Sequence, residues 1–78
     1  MNYAQEAKFG KIFFAGAPAR YYDRIQTRAY FDNSPAWPAL NLKMYAAKAR
    51  WYDLSGMHDS AEVCRQTARK RLERMRGA

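Results

Sequence analysis

The sequence predicts an all-α fold of four helices, a C-terminal antiparallel helical hairpin with two N-terminal helices packed on its central helix. Three observations point there. Val and Ile together supply only Ile12, Ile25 and Val63, beside many Ala, Leu, Met, Arg and Lys, a balance that favours helix over sheet. Trp37, Leu40, Met44, Ala47, Trp51 and Leu54 recur at spacings of 3, 4, 3, 4 and 3, an unbroken heptad stripe. Gly56 stands where a left-handed helix stop is expected, and Asp59-Ser60-Ala61-Glu62 follows with a capping-box pattern.

The first segment, about residues 3–15, is apolar on nearly every face, with Tyr3, Ala7, Gly10 and Phe14 on one side and Phe9, Ile12 and Phe13 on others. Gly16 and Pro18 end it, and Pro18 suits the first turn of the next helix. That second helix, about residues 18–31, sets Arg20, Arg24 and Arg28 four apart along one ridge, opposite a packing side of Tyr22, Ile25 and Ala29. In the loop 32–35, Ser34 before Pro35 reads as an N-cap. The third helix, about residues 35–54, carries a second apolar stripe, Leu42, Tyr45, Ala49 and Tyr52, turned roughly 140° from the heptad stripe. A helix with two apolar faces sits between neighbours, which makes it the expected centre of the fold. The fourth, about residues 60–75, offers Ala61, Cys64, Ala68, Leu72 and Met75, expected to lie against the Trp37-to-Leu54 stripe.

These pieces fit one small helical domain over residues 1–78, with the aromatic and basic helices in 1–33 and the hairpin in 34–78. A chain this short buries only about 60% of the surface its unfolded form exposes. Cys64 and His58 are the only residues of their types, so no internal disulfide and no Cys/His zinc set can form. Cys64 falls on the apolar stripe as a buried thiol. His58 beside Asp59 lacks an activated nucleophile or second acid. The expectation is a non-enzymatic protein without a cofactor or resident metal.

The formal charge is +7, of which residues 1–39 hold +2 (five basic, three acidic) and residues 40–78 hold +5 (nine basic, four acidic). Such a balance suits protein partners with acidic surfaces, anionic lipid, or RNA and DNA. The longest nearly apolar run, residues 12–19, is far short of the ~20 residues of a membrane-spanning helix. Gly16 and Pro18 would break a secretory signal, so an intracellular or organellar location is expected.

Three groups of residues are candidates for contacting a partner or polyanion. Arg20, Arg24 and Arg28 form a ridge of guanidinium groups about 6 Å apart. Tyr21 and Phe13 belong to an aromatic surplus larger than one small core encloses, and Tyr, Trp and Arg are the residues of interface hot spots. Arg69, Lys70 and Arg74 come from the basic C-terminal helix. Measured from Ala61, Arg65, Arg69 and Arg76 fall at roughly 40–80°, and Lys70 and Arg74 at roughly 180–220°. Those charges surround the apolar stripe, as on a packed amphipathic helix whose long side chains reach water.

Tyr45, Ala49, Tyr52, Gly56, Ala61 and Ala68 resemble the aromatic, small, aromatic, Gly, Ala, Ala positions of one tetratricopeptide-type hairpin over residues 45–68. The resemblance implies two closely approaching helices. Lys48 and Arg65 depart from its usual Leu and bulky aromatic, the closing Pro is absent, and one unit stands where a solenoid needs about three. It implies a hairpin used for packing, without family membership. The function expected from these features is an accessory or adaptor subunit of a larger protein assembly. The alternatives are a nucleic-acid-binding regulatory protein and a small inhibitor protein encoded by a mobile element.

Overall fold

A computed structural model describes residues 14–77 of the chain. They hold three helices, α1 (Ala17–Phe31), α2 (Trp37–Leu54) and α3 (His58–Gly77), so the all-α class stands but the count of four helices does not. The anticipated first segment, 3–15, lies outside the described residues apart from Phe14 and Ala15, which are helical and lead into the Gly16 N-cap of α1. The other boundaries fall within a few residues of those read from the sequence.

Both interhelical turns are built in the same way. After α1, Asn33 takes a left-handed φ of 53°, its N–H donates to Tyr30 O, and the Ser34 N–H donates to Ala29 O. After α2, Gly56 takes φ of 79°, its N–H donates to Asp53 O, and the Met57 N–H donates to Tyr52 O. Each is a Schellman motif, in which one left-handed residue lets the last turn satisfy its own carbonyls. The starts differ from expectation. Helix α2 begins at Trp37 with Pro38 in its first turn, and the Ser34 hydroxyl accepts from Ala36 N–H at 3.2 Å, so Ser34 stabilises the preceding turn and does not cap the helix. Helix α3 begins at His58, with Ala61 N–H bonded to Met57 O, which places Asp59 inside the first turn, where it complements the helix dipole. Glu62 pairs with Arg65 in place of closing a capping box.

Helix α2 is central. Helix α1 packs along one side of it and α3 along the other, and among the described residues α1 and α3 do not meet. The partners are antiparallel to it: Gly16 lies by Trp51 and Gln26 by Trp37 on one side, Arg65 by Asp53 and Arg71 by Trp37 on the other. The principal extents are 51 × 25 × 13 Å, the smallest close to the ~10–12 Å diameter of a single helix. The three helices therefore form one layer.

The two apolar faces of α2 meet their neighbours differently from the expected order: the heptad stripe is shared between α1 and α3. Trp51 packs on the start of α1, and Ala47 shares a groove with Ala15, Pro18 and Tyr22, so this part of the heptad stripe serves α1, while Leu54 from the same stripe lines the groove with α3. Ala49, from the second stripe, faces Arg65 and Ala68 of α3. The reason is volume. Gly16 leaves room for an indole at the α1 seam, whereas α3 presents Ala61, Cys64 and Ala68, which accept small residues at close range. Trp37 spans both seams: its Nε1–H donates to Gln26 Oε1 of α1 at 3.0 Å, and Arg71 of α3 lies 5.1 Å from its ring centroid.

The buried set among the described residues is Gly16, Ala19, Ala29, Asn41, Met44, Ala49, Ala61 and Cys64. Met44 is the only long apolar side chain in it, so the described core consists of two narrow alanine-lined seams. Asn41 is 5% exposed, and its Nδ2–H donates to the same Gln26 Oε1 at 3.3 Å.

Candidate interaction surface

Among the described residues no helix packs on the far side of α1, and the sequence places large side chains there. Phe14, Tyr21 and Arg28 are seven residues apart, as are Arg24 and Phe31, so these two columns share the side facing away from α2. Phe14 is 73% exposed, Tyr21 52% and Phe31 76%. Tyr21 meets Tyr22 and Phe31 meets Tyr30 edge-on, but burying a Phe side chain fully is favourable by about 1.5–3 kcal/mol, so a ring as exposed as Phe31 leaves much of that unrealised. Arg24 and Arg28 stand among them. Arg28 reaches Asp32 at 3.9 Å with both side chains largely in water, a pairing worth at most about 1 kcal/mol.

The expected site residues are distributed over several surfaces. Arg24, Arg28 and Tyr21 share the outer face of α1. Arg20 turns away from them, its guanidinium 5.5 Å from the Trp51 ring centroid, so the expected ridge of three arginines is shortened to two. Arg69 lines a groove between α2 and α3. Lys70 and Arg74 lie on the outer side of α3, beside Glu73. Phe13 lies outside the described residues.

Other cations have structural duties. Arg65 donates to both Asp53 and Glu62, tying the start of α3 to the end of α2. His58 Nδ1 lies 2.9 Å from the second Asp53 oxygen, and because a carboxylate only accepts, the ring must donate. The His58 ring first, and the Arg65 guanidinium next, hold the Asp53 carboxyl below its usual range; the two carboxylates in turn raise Arg65. Arg71 lies on Trp37, where the ring face attracts the cation.

Sequence reasoning counted Phe14 and Phe31 within the aromatic surplus without singling them out, and it did not single out Arg50, which lines the grooves on both sides of α2. The available signal was the seven-residue spacing from Phe14 to Tyr21, from Arg24 to Phe31 and from Lys43 to Arg50. Among the described residues, no helix is long and apolar enough to cross a membrane, and no cluster of three or more His, Cys, Asp or Glu side chains could hold a metal. Comparison of the chain with protein-family models, with curated proteins and with solved structures returned no match.

Proposed function

We propose that this chain is a non-enzymatic interaction protein, an accessory or adaptor subunit that completes its packing against another protein in a larger assembly. The observation that carries this reading is the outer face of α1, where Phe14, Tyr21 and Phe31 stand in solvent beside Arg24 and Arg28. Exposed aromatics interleaved with arginine have the composition of interface hot spots, and a core of alanine seams leaves the chain reliant on further burial. The nucleic-acid reading has less support. Arg20 and Arg71 lie on tryptophans and Arg65 holds two carboxylates, so the net charge is not gathered into one phosphate-tracking stripe.

The test compares the full-length chain with a Phe14→Ser/Tyr21→Ser/Phe31→Ser variant. The wild-type chain alone should melt broadly or self-associate and gain a cooperative transition with its copurified partner. The variant should keep its far-UV circular dichroism, become more soluble and lose the partner. A wild-type monomer with a sharp, high transition that the triple substitution leaves unchanged would overturn the proposal.

A further inference from the structure

The broad face of the layer that shows Arg50 contains a groove of about 580 Å³ between α2 and α3. Its floor is Ala46, Ala49 and Ala68, and Arg50 and Arg69 rise from its two walls. Among the described residues neither of these arginines forms an ion pair. The one carboxylate lining the groove, Asp53, is already engaged by Arg65 and His58 at the end near the hairpin turn. Further along, Lys43 lies seven residues before Arg50 on α2, and Arg76 seven residues after Arg69 on α3. Seven residues of helix advance about 10.5 Å, so the α3 wall repeats its cation at that interval, whereas Lys43 lies 6.0 Å from the Tyr22 ring centroid on the α1 side.

We propose that this groove seats an amphipathic α-helix of a partner protein, with small or apolar residues along its seam and Asp or Glu on both flanks. The inference rests on the subunit reading above and adds a second contact surface to it. Three features favour this occupant. An alanine floor lets another backbone approach near the short end of the 8–10 Å interaxial range, which longer side chains would prevent. The floor is apolar, so its occupant must bring apolar atoms; a phosphate backbone would leave it wet. A helix lying along the groove repeats its flanking residues every heptad, the same ~10.5 Å interval that separates Arg69 from Arg76 along α3. Charge-assisted pairs to Arg50 and Arg69 would then fix its register and discriminate against neutral or basic helices.

The probe is a synthetic three-heptad peptide with Ala and Leu on its seam and Glu on both flanks, labelled for fluorescence anisotropy. A Lys-flanked peptide of the same seam and a single-stranded oligonucleotide serve as comparisons. The acidic peptide should bind the full-length chain and the Lys peptide should not. Arg50→Glu/Arg69→Glu should weaken the acidic peptide at least tenfold and give the Lys peptide measurable binding. Lys70→Glu/Arg74→Glu, which changes net charge equally on the outer side of α3, should alter affinity less than threefold. Filling the floor with Ala46→Met, at an exposed site where folding is spared, should weaken the peptide several-fold.

The proposal is overturned if both double variants weaken the peptide alike, if Ala46→Met has no effect, or if the oligonucleotide binds more tightly through the same arginines. A partner whose capture needs Phe14, Tyr21 and Phe31 but not Arg50 and Arg69 would uphold the subunit reading and overturn the groove.

Discussion

Replacing Gly16 by Ala sets two effects of opposite sign against each other. Gly16 has φ of −81°, which any residue adopts, so Ala brings no backbone strain and by restricting the unfolded chain should stabilise by about 0.4–1 kcal/mol. The native packing opposes this. A Cβ at Gly16 would stand 2.6 Å from Trp51 Cζ2, closer still to Cε2, and 2.8 Å from Arg20 Nη1. Carbon atoms in good contact are about 3.5–4.0 Å apart, so roughly 1 Å must be found. The Arg20 head can swing away, but the indole is rigid and its Nε1 is enclosed without a partner. The helix must lift or the ring must turn, and overpacking of this kind costs about 1–3 kcal/mol. The packing term is the larger of the two, and the combined ranges give a net loss of about 0–2.6 kcal/mol.

Urea unfolding followed by far-UV circular dichroism reads this directly. Gly16→Ala should lower the midpoint with the slope unchanged. Gly77→Ala, at a position with open space around it, should stay within about 0.5 kcal/mol of the parent. In a Trp51→Leu background, where the ring is gone, Gly16→Ala should cost at least ~1 kcal/mol less than in the parent, the coupling expected of residues in contact. If Gly16→Ala stabilises the chain, or costs the same in both backgrounds, the close fit of Trp51 over Gly16 is wrong.

Three further substitutions test the turn, the polar link and the charged cluster. Asn33 holds a left-handed conformation, so Asn33→Val should cost about 1–2 kcal/mol while Asn33→Gly is neutral or stabilising; thermal melts that rank Val above Gly would contradict the Schellman turn. Gln26 Oε1 accepts from both Trp37 and Asn41, so Gln26→Leu should cost about 1–3 kcal/mol by orphaning partly buried donors, and Gln26→Glu, which keeps the acceptor, should cost less in the same unfolding assay. Asp53 is held below the ordinary carboxylate value of about 3.9 by His58 and Arg65. Its contribution is therefore complete above that value and lost as pH falls through the lower folded one. Asp53→Asn should be less stable than wild type at neutral pH, with the gap closing in strong acid; a gap constant with pH would show the pairing to be inert.

The helical class and the central position of α2 were readable because both depend on local patterning. Trp37, Met44 and Trp51 fall on one heptad and Tyr45, Ala49 and Tyr52 on another, and no single-faced helix explains both. Which face meets which neighbour was not readable. It turns on a fit between separate segments, Gly16 under an indole and Ala68 beside Ala49, and periodicity within one helix says nothing about complementarity between two. Asn33 was the legible signal that went unread, an Asn followed two residues later by Pro35 just past an apolar stripe. The candidate site was legible in composition and illegible in position. Arg20, Arg24 and Arg28 share a ridge by spacing alone, but the π-face of Trp51 draws Arg20 aside, and Arg50 acquires meaning only once Arg69 stands across a groove from it.

On the proposed reading, the distribution of volume is what would make the outer surfaces of this chain invite partners. A single layer of three helices has two seams, and both are lined by alanine, so little room remains inside for large side chains. The rings must go outward, as Phe14, Tyr21 and Phe31 do, or lie across a seam under a cation, as Trp37 and Trp51 do with Arg71 and Arg20. Helical domains ordinarily bury their apolar stripes by stacking a second layer on the first. Here the broad face of α2 and α3 offers an alanine floor for such a layer, with unpaired arginines on its walls, and the edge at α1 offers aromatics for lateral contact. A partner that meets both surfaces would supply a second layer and a neighbour for α1 together. Such a protein would be stable in its assembly and marginal outside it, and substitutions at Arg50, Arg69, Phe14 or Phe31 would then lower the cellular level of the chain more than its stability when purified alone.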